Sequence, residues 1–132
     1  MDIFIADDSL NDMEISKFTL QPLVENAVFH GIEPKGGAGA ITIQIYRDEQ
    51  TDNDVIIDVT DDGIGITPEK LEALLSEKSD DKSDFFKEIG IYNVNKRLQY
   101  EFGDTYGITA TSEVGKYTKM SIRLPYRKST II

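Results

Sequence analysis

Apolar and polar positions change rhythm several times along the chain, and each change predicts an element. "ITIQIY" (Ile41–Tyr46) and "VIIDVTD" (Val55–Asp61) alternate with period two, as half-buried strands do. The polar stretch "RDEQTDND" between them makes the pair an antiparallel hairpin. "YGITATSE" (Tyr106–Glu113) and "YTKMSIRLP" (Tyr117–Pro125) predict a second hairpin across "VGK". "DIFIAD" (Asp2–Asp7) reads as a first strand, and "DMEISKF" (Asp12–Phe18) as a strand or a lead-in. The rhythm becomes helical in "LQPLVENAVFHG" (Leu20–Gly31), with Pro22 in an early turn and Gly31 as a stop. "TPEKLEALL" follows with Thr67 as N-cap and Pro68 at the first helical position. "GIYNVNKRLQYEFG" (Gly90–Gly103) is a helix that buries Ile91, Val94, Leu98 and Phe102 and ends at Gly103. "EPKGGAGA" (Glu33–Ala40) is a glycine-rich loop, and "SEKSDDKSDFFKE" (Ser76–Glu88) a polar loop or lid; the tail "YRKSTII" carries no clear signal. No repeat or second domain is visible. The expectation is one α+β domain over residues 1–132: a two-layer sandwich with helices on one face of a mixed, mostly antiparallel sheet.

Some positions ask for more than packing. On a 3.6-residue wheel, Leu20, Leu23, Val24, Ala27 and Val28 share one side of the first helix; Pro22, Glu25, Asn26, Phe29 and His30 share the other. That second side is either a solvated face or, as Phe29 suggests, the lining of a cleft. Val55, Ile57, Val59 and Asp61 share strand parity, so a carboxylate is delivered to the end of an apolar face. It either caps a tight turn or forms a pocket floor that accepts from an amine on a flat ligand, with Gly63 and Gly65 allowing close approach. Thr118 ends the apolar row Met120, Ile122, Leu124 in the same way. It is an ordinary strand threonine or a second polar group in an apolar pocket. Gly90 opens a helix on this reading, and a helix start offers free N–H groups to phosphate. Asn93, Lys96 and Arg97 add nearby donors, although the two cations could equally be solvated. No G-x-x-x-x-G-K-[ST] string is present.

Composition narrows the field. The 132 residues hold 39% hydrophobic residues, enough for a core. There is no cysteine and a single histidine, which excludes disulfides, thiolate metal sites and histidine-rich metal sites. A net charge of −10 disfavours nucleic acid and anionic lipid as partners, but not a nucleotide held by Mg²⁺ and backbone N–H groups. No apolar run reaches the roughly 20 residues of a membrane span, and no secretory signal opens the chain, so a cytoplasmic domain is expected, free or cut from a longer anchored protein.

Taken together, "LQPLVENAVFHG", "DDGIGI" and "EIGIYNVNKRLQYEFGDTYGITATSEVGKYTKMSIRLP" resemble the N box, the two glycine boxes and the closing hairpin of the ATP-binding catalytic domain of sensor histidine kinases. The wording is most similar to the LytS/YesM type, within the gyrase, Hsp90, histidine kinase and MutL superfamily, and covers about Ser16 to Pro125. The resemblance implies a Bergerat-type ATPase fold with an ATP lid at about 76–89. It implies that Asn26 coordinates Mg²⁺, that Glu25 orders the metal or a water, and that His30 contacts the phosphates. Asp61 accepts from the adenine amine, with Gly63, Gly65 and Ile66 lining the base and Thr118 supporting it; Gly90, Ile91 and Asn93 border the phosphates. The activity implied is transfer of the terminal phosphoryl group of ATP to a histidine on a separate dimerisation domain, with a response regulator beyond it. The full kinase is implied to be a homodimer, membrane-anchored, with this domain on the cytoplasmic side and out of contact with the membrane. Because His30 belongs to the ATP site, this chain alone is expected not to phosphorylate itself. A nucleotide-binding module with impaired catalysis and a related ATPase or serine kinase are the alternatives. Two positions depart from the family pattern, Glu88 in "EIG" and Tyr117 in "GKYT", where the family has glycine; both bear on affinity and lid closure.

Overall fold

A computed structural model describes residues 2–5, 17–32, 36–37, 39–48, 50, 54–75 and 85–126; of residues 2, 3, 5, 17, 18, 30 and 85–89 it describes the backbone only. Five strands form one sheet: β1 (Asp2–Ile5), β2 (Ile41–Arg47), β3 (Asp54–Asp61), β4 (Gly107–Glu113) and β5 (Tyr117–Pro125). Their order is β1-β2-β3-β5-β4. β1 runs parallel to β2, and the other neighbours are antiparallel. Both predicted hairpins form, and β1 matches the expected first strand. The sheet is mixed and mostly antiparallel, as the patterning indicates.

Alternation turns the sheet into cross-strand rows. One row on the helix-covered face is Ile45, Ile57, Ile122 and Ile108; the next is Ile43, Val59, Met120 and Ala110. Ile57, Ile122, Ile43, Val59 and Met120 are buried almost completely. Each such side chain withdrawn from water contributes about 1.5–3 kcal/mol, so these rows are the main adhesive of the domain. The following row is Ile41, Asp61, Thr118 and Ser112. The apolar ladder therefore ends in three polar side chains, set side by side at the same end of the sheet.

Helices α1 (Lys17–Asn26), α2 (Pro68–Leu74) and α3 (Phe85–Phe102) accompany the sheet. α2 starts as expected: Lys70 N–H donates to Thr67 Oγ1 at 3.3 Å, with Pro68 at the first helical position. α3 buries Ile91, Val94 and Leu98 and stops before Gly103, whose φ of 116° suits a glycine. It is tied to β4 by Ile108 N–H donating to the buried Asn95 Oδ1 at 2.8 Å, and to α1 by Arg97 donating to Thr19 Oγ1 at 2.6 Å.

Three boundaries differ from the sequence expectation. The first helix begins at Lys17, which settles the end of "DMEISKF" as helical; residues 12–16 lie outside the described residues. It does not stop at Gly31 but changes at Ala27 into a π-helical segment, Ala27–Ile32. α3 begins at Phe85, five residues before Gly90, so 85–89 of the expected lid are helical and residues 76–84 lie outside the described residues. Nothing in Phe85–Ile89 breaks a helix: there is no glycine or proline, and Lys87 and Glu88 are good helix formers. Most of the tail "YRKSTII" also lies outside the described residues.

Candidate nucleotide site

The site begins with Asp61, only 2% exposed at the end of β3. Its Oδ1 accepts from Gly63 N–H at 2.9 Å, which closes a tight turn and leaves accepting capacity on Oδ2. The turn-capping reading of Asp61 holds: one oxygen closes the turn at the end of the apolar face. Burial pushes its carboxyl above the usual range; the Gly63 N–H pulls it back and the neighbouring Asp62 charge raises it again. Thr118, also 2% exposed, is Asp61's direct partner across the β3–β5 ladder. The two polar ends inferred from parity are adjacent.

Glycines make the turn possible. A Cβ on Gly31 would stand 2.6 Å from Asp61 Cγ, and one on Gly63 would stand 2.5 Å from Gly31 Cα. The chain passes between these residues only because neither has a side chain. Ile64 N–H donates to Gly31 O at 3.2 Å, and Gly115 N–H to Ile64 O at 2.7 Å, so the segment after β3 is stitched to the first helix and to the β4–β5 turn. Asp62 braces it from outside by accepting Ala40 N–H at 2.7 Å. Gly65, at φ 77°, lies against the Glu113–Val114 backbone, and Ile66 N–H donates to Ser112 Oγ at 2.8 Å. Ile66 itself is buried.

Asn26 requires a correction. The wheel puts it on the polar side, yet the buried stripe of the first helix is Thr19, Leu23, Asn26 and Ala27. Asn26 is 3% exposed, and its Nδ2 lies 3.8 Å from Met120 Sδ. Met120 is two residues from Thr118 on the same face of β5, about 7 Å along the strand. Asn26 Oδ1 is buried without a hydrogen-bond partner. A buried amide oxygen in that condition is costly. After Asn26 the backbone is π-helical, so the 3.6-residue spacing does not continue through Ala27–Ile32. Such segments are frequent at functional sites. The His30 side chain lies outside the described residues. Glu25 is half-buried and accepts from Gln21 Nε2 at 2.7 Å; Phe29 is 37% exposed.

The α3 candidates are arranged differently. Gly90 does not open the helix: it lies within it, where a Cβ would come 3.3 Å from Pro22 Cβ, so its smallness serves the α1–α3 crossing. Ile91 is fully buried in the core. Asn93 is exposed; Lys96 stands 5.8 Å from the Tyr92 ring centre, and Arg97 is engaged by Thr19. Sequence reasoning missed three contributors. Gly31 was read as a helix stop and is the residue that admits the Asp61 carboxylate. Met120 was read as core and meets Asn26. Ser112 was unremarked, although its parity with Ile108 and Ala110 was available.

Among the described residues no group of three or more acidic, histidine or cysteine side chains could hold a metal ion, and no helix is long and apolar enough to cross a membrane. A cleft of about 270 Å³ opens on the other face of the sheet, between Tyr46, Ile56, Tyr106 and Arg123, and contains none of the candidate residues.

Residues 16–128 match the family described as histidine kinase-, DNA gyrase B- and HSP90-like ATPases. The chain is 34% identical to the sensor histidine kinase YesM of Bacillus subtilis (strain 168) over 125 residues, 95% of this chain and 19% of that protein. It is 35% identical to the sensor protein LytS of Oceanobacillus iheyensis over 122 residues, 92% of this chain and 20% of that protein. The chain therefore spans about a fifth of the length of these two relatives. Its fold matches the catalytic domain of the histidine kinase ThkA in a nucleotide-free form, with a TM-score of 0.66 and 18% identity, covering 98% of this chain and 80% of that one.

Proposed function

The chain belongs to the family of histidine kinase-, DNA gyrase B- and HSP90-like ATPases, and from that membership we propose that it binds Mg-ATP and donates the terminal phosphoryl group to a histidine on a separate dimerisation domain. The observation that carries this reading is the polar end of the apolar ladder, where Asp61 and Thr118 are buried side by side and reached across glycines. Few polar groups on an apolar wall suit a flat base with an exocyclic amine. Asp61 accepts from that amine through Oδ2, and Gly63, Gly65 and Ile66 line the base.

Asn26 fits the metal. Its Oδ1 is a buried oxygen without a partner, and Mg²⁺ prefers oxygen ligands, taking one or two from protein and the rest from phosphates and water. When bound, the ion neutralises charge on the phosphates. Glu25, steadied by Gln21, orders the metal or a water, and His30 contributes a polar contact. Asn93, exposed on α3, is the side-chain donor at the phosphate end. The protein's part in catalysis is to hold the donor in line and exclude water. The remaining proposals follow from the kinship with sensor kinases: a homodimeric, membrane-anchored full-length protein, this unit on the cytoplasmic side as a single domain, and a response regulator as the final acceptor.

Calorimetric titration with ATP, with and without Mg²⁺, beside Asp61→Asn tests the binding. Tightening by Mg²⁺ and weakening by Asp61→Asn is the expected result, and no binding at millimolar ATP overturns it. Phosphotransfer to a supplied histidine-bearing helical domain tests the chemistry. The continuous α3, which runs through Gly90 without a break, favours a second reading as a nucleotide-binding module with impaired catalysis. Binding without transfer selects that reading.

A further inference from the structure

Ser112 sits in the row with Asp61 and Thr118, and its single hydroxyl serves three partners. It donates to Tyr117 O at 2.7 Å, accepts from Ile66 N–H at 2.8 Å, and lies 2.9 Å from Thr118 Oγ1. A serine has one proton and two lone pairs. The proton is committed to the Tyr117 carbonyl, which can only accept. The Ile66 N–H takes one lone pair. The bond to Thr118 must then use the other, so Thr118 is the donor. Its own proton is consequently turned toward Ser112, and the Thr118 hydroxyl is left with lone pairs alone for anything beside it. Asp61, its cross-strand partner, is also an acceptor when ionised. Two neighbouring acceptors form a wall that favours a hydrogen-bond donor and repels a carbonyl.

We propose that Ser112 is a positioning residue that fixes the Thr118 hydroxyl as an acceptor and so makes the site choose an amino purine over a keto purine. This rests on the nucleotide reading above. Ser112 acts through Thr118 and, by holding the Ile66 N–H, also sets the loop that lines the base. Without Ser112 the Thr118 proton can swing into the site and serve a keto oxygen.

The test compares the affinities of ATP and inosine triphosphate, which carries a carbonyl where adenine has its amine, in the 132-residue chain. The wild type prefers ATP. Ser112→Ala lowers the ATP-to-inosine triphosphate preference by a factor of about 5–10, the worth of one hydrogen bond. Ser112→Thr keeps the hydroxyl and restores the preference. In a Thr118→Val background, Ser112→Ala leaves the preference where Thr118→Val alone puts it. Thermal unfolding of each variant separates folding losses from binding changes. A purely structural serine would weaken both nucleotides equally, and an unchanged preference in Ser112→Ala overturns the proposal. So does an equal further loss in the Thr118→Val background. Failure of the wild type to bind either nucleotide instead overturns the nucleotide reading itself.

Discussion

Gly63→Ala tests how tightly the turn after β3 is built. The backbone at Gly63 is not in the left-handed region, so alanine meets no conformational penalty there and the effect must come from space. A Cβ would run into the Gly31 carbonyl group and stand 2.5 Å from Gly31 Cα. These are backbone atoms of the π segment and cannot swing aside as a side-chain end can. Either the turn or the segment must move, and movement breaks two bonds: Gly63 N–H to Asp61 Oδ1 at 2.9 Å and Ile64 N–H to Gly31 O at 3.2 Å. The first involves a buried carboxylate and contributes about 2 kcal/mol, the second about 1 kcal/mol. Overpacking adds about 1–3 kcal/mol. The loss is therefore about 4–6 kcal/mol, or a melting midpoint lowered by about 15–20 °C for a domain of this size. Gly31→Ala is the internal control. Its Cβ would meet the Asp61 carboxylate, 2.6 Å from Cγ, which is a side-chain end that can rotate. Alanine also gains about 1 kcal/mol of helix propensity over glycine. Gly31→Ala should thus cost clearly less stability than Gly63→Ala while weakening ATP binding, because it displaces Asp61. Urea unfolding followed by circular dichroism measures both. A Gly63→Ala variant within about 1 kcal/mol of wild type, the size of an average substitution, would refute the argument that the two backbones are in fixed contact.

Three further outcomes are expected. Asn26→Ala removes a buried amide oxygen without a partner, whose desolvation costs about 1–3 kcal/mol, so urea unfolding should show stability unchanged or higher while calorimetry shows the Mg²⁺ enhancement of ATP binding lost. The Asp61 carboxyl is raised above 3.8 in the fold, so its contribution is whole below that value and is lost as pH climbs through the raised value; the stability of Asp61→Asn relative to wild type should therefore grow across that interval in a pH series of unfolding curves. Tyr46 is pushed from 10.0 to about 12 by burial and by its bond to Asp58, so the neutral phenol stabilises the fold below pH 10 and that stabilisation disappears through about 12; wild type should lose more stability than Tyr46→Phe between those values, and the ultraviolet phenolate titration should lose its highest step.

The strands were legible because their side-chain period is two, so one parity count decides which face a residue takes. That is why Asp61 and Thr118 could be placed on the apolar face before any pairing was known. The pairing itself was not legible: register across β3 and β5, which makes the two direct partners, depends on connections that the local pattern does not fix. The first helix was harder. Its apolar residues fit a stripe centred near Leu20 and Val24, but the buried stripe runs through Thr19, Leu23, Asn26 and Ala27. Hydrophobicity found the core side, since Leu23 and Ala27 are buried and Leu20, Val24 and Val28 pack against the core, but it left out Thr19 and Asn26, which are buried and polar. The π segment carries no signature that periodicity can detect. At α3, a charged stretch before a glycine imitated a loop, although its residues are compatible with a helix.

The two faces of the sheet divide the labour between holding the fold and leaving groups open. On the face away from the helices, Asp58 accepts from Tyr46 at 2.7 Å and from Ser121, and lies 3.5 Å from Lys119. Arg123 is paired with Asp48 at 2.7 Å and Asp54 at 3.0 Å, and Tyr106 donates to Asp54 at 2.8 Å. Asp48, Asp54 and Asp58 are thus held by partners of this same chain. On the helix-covered face the ladder is apolar until its last row, where Asp61 keeps accepting capacity, and Asn26 lies nearby with an oxygen unmet. Both groups cost stability where they stand, and the apolar rows beneath them bear that cost. Asp61 is partly compensated because its Oδ1 closes the turn at Gly63, whereas Asn26 Oδ1, on α1 beside Met120, has no partner, and that unmet oxygen is what the proposed nucleotide site accounts for.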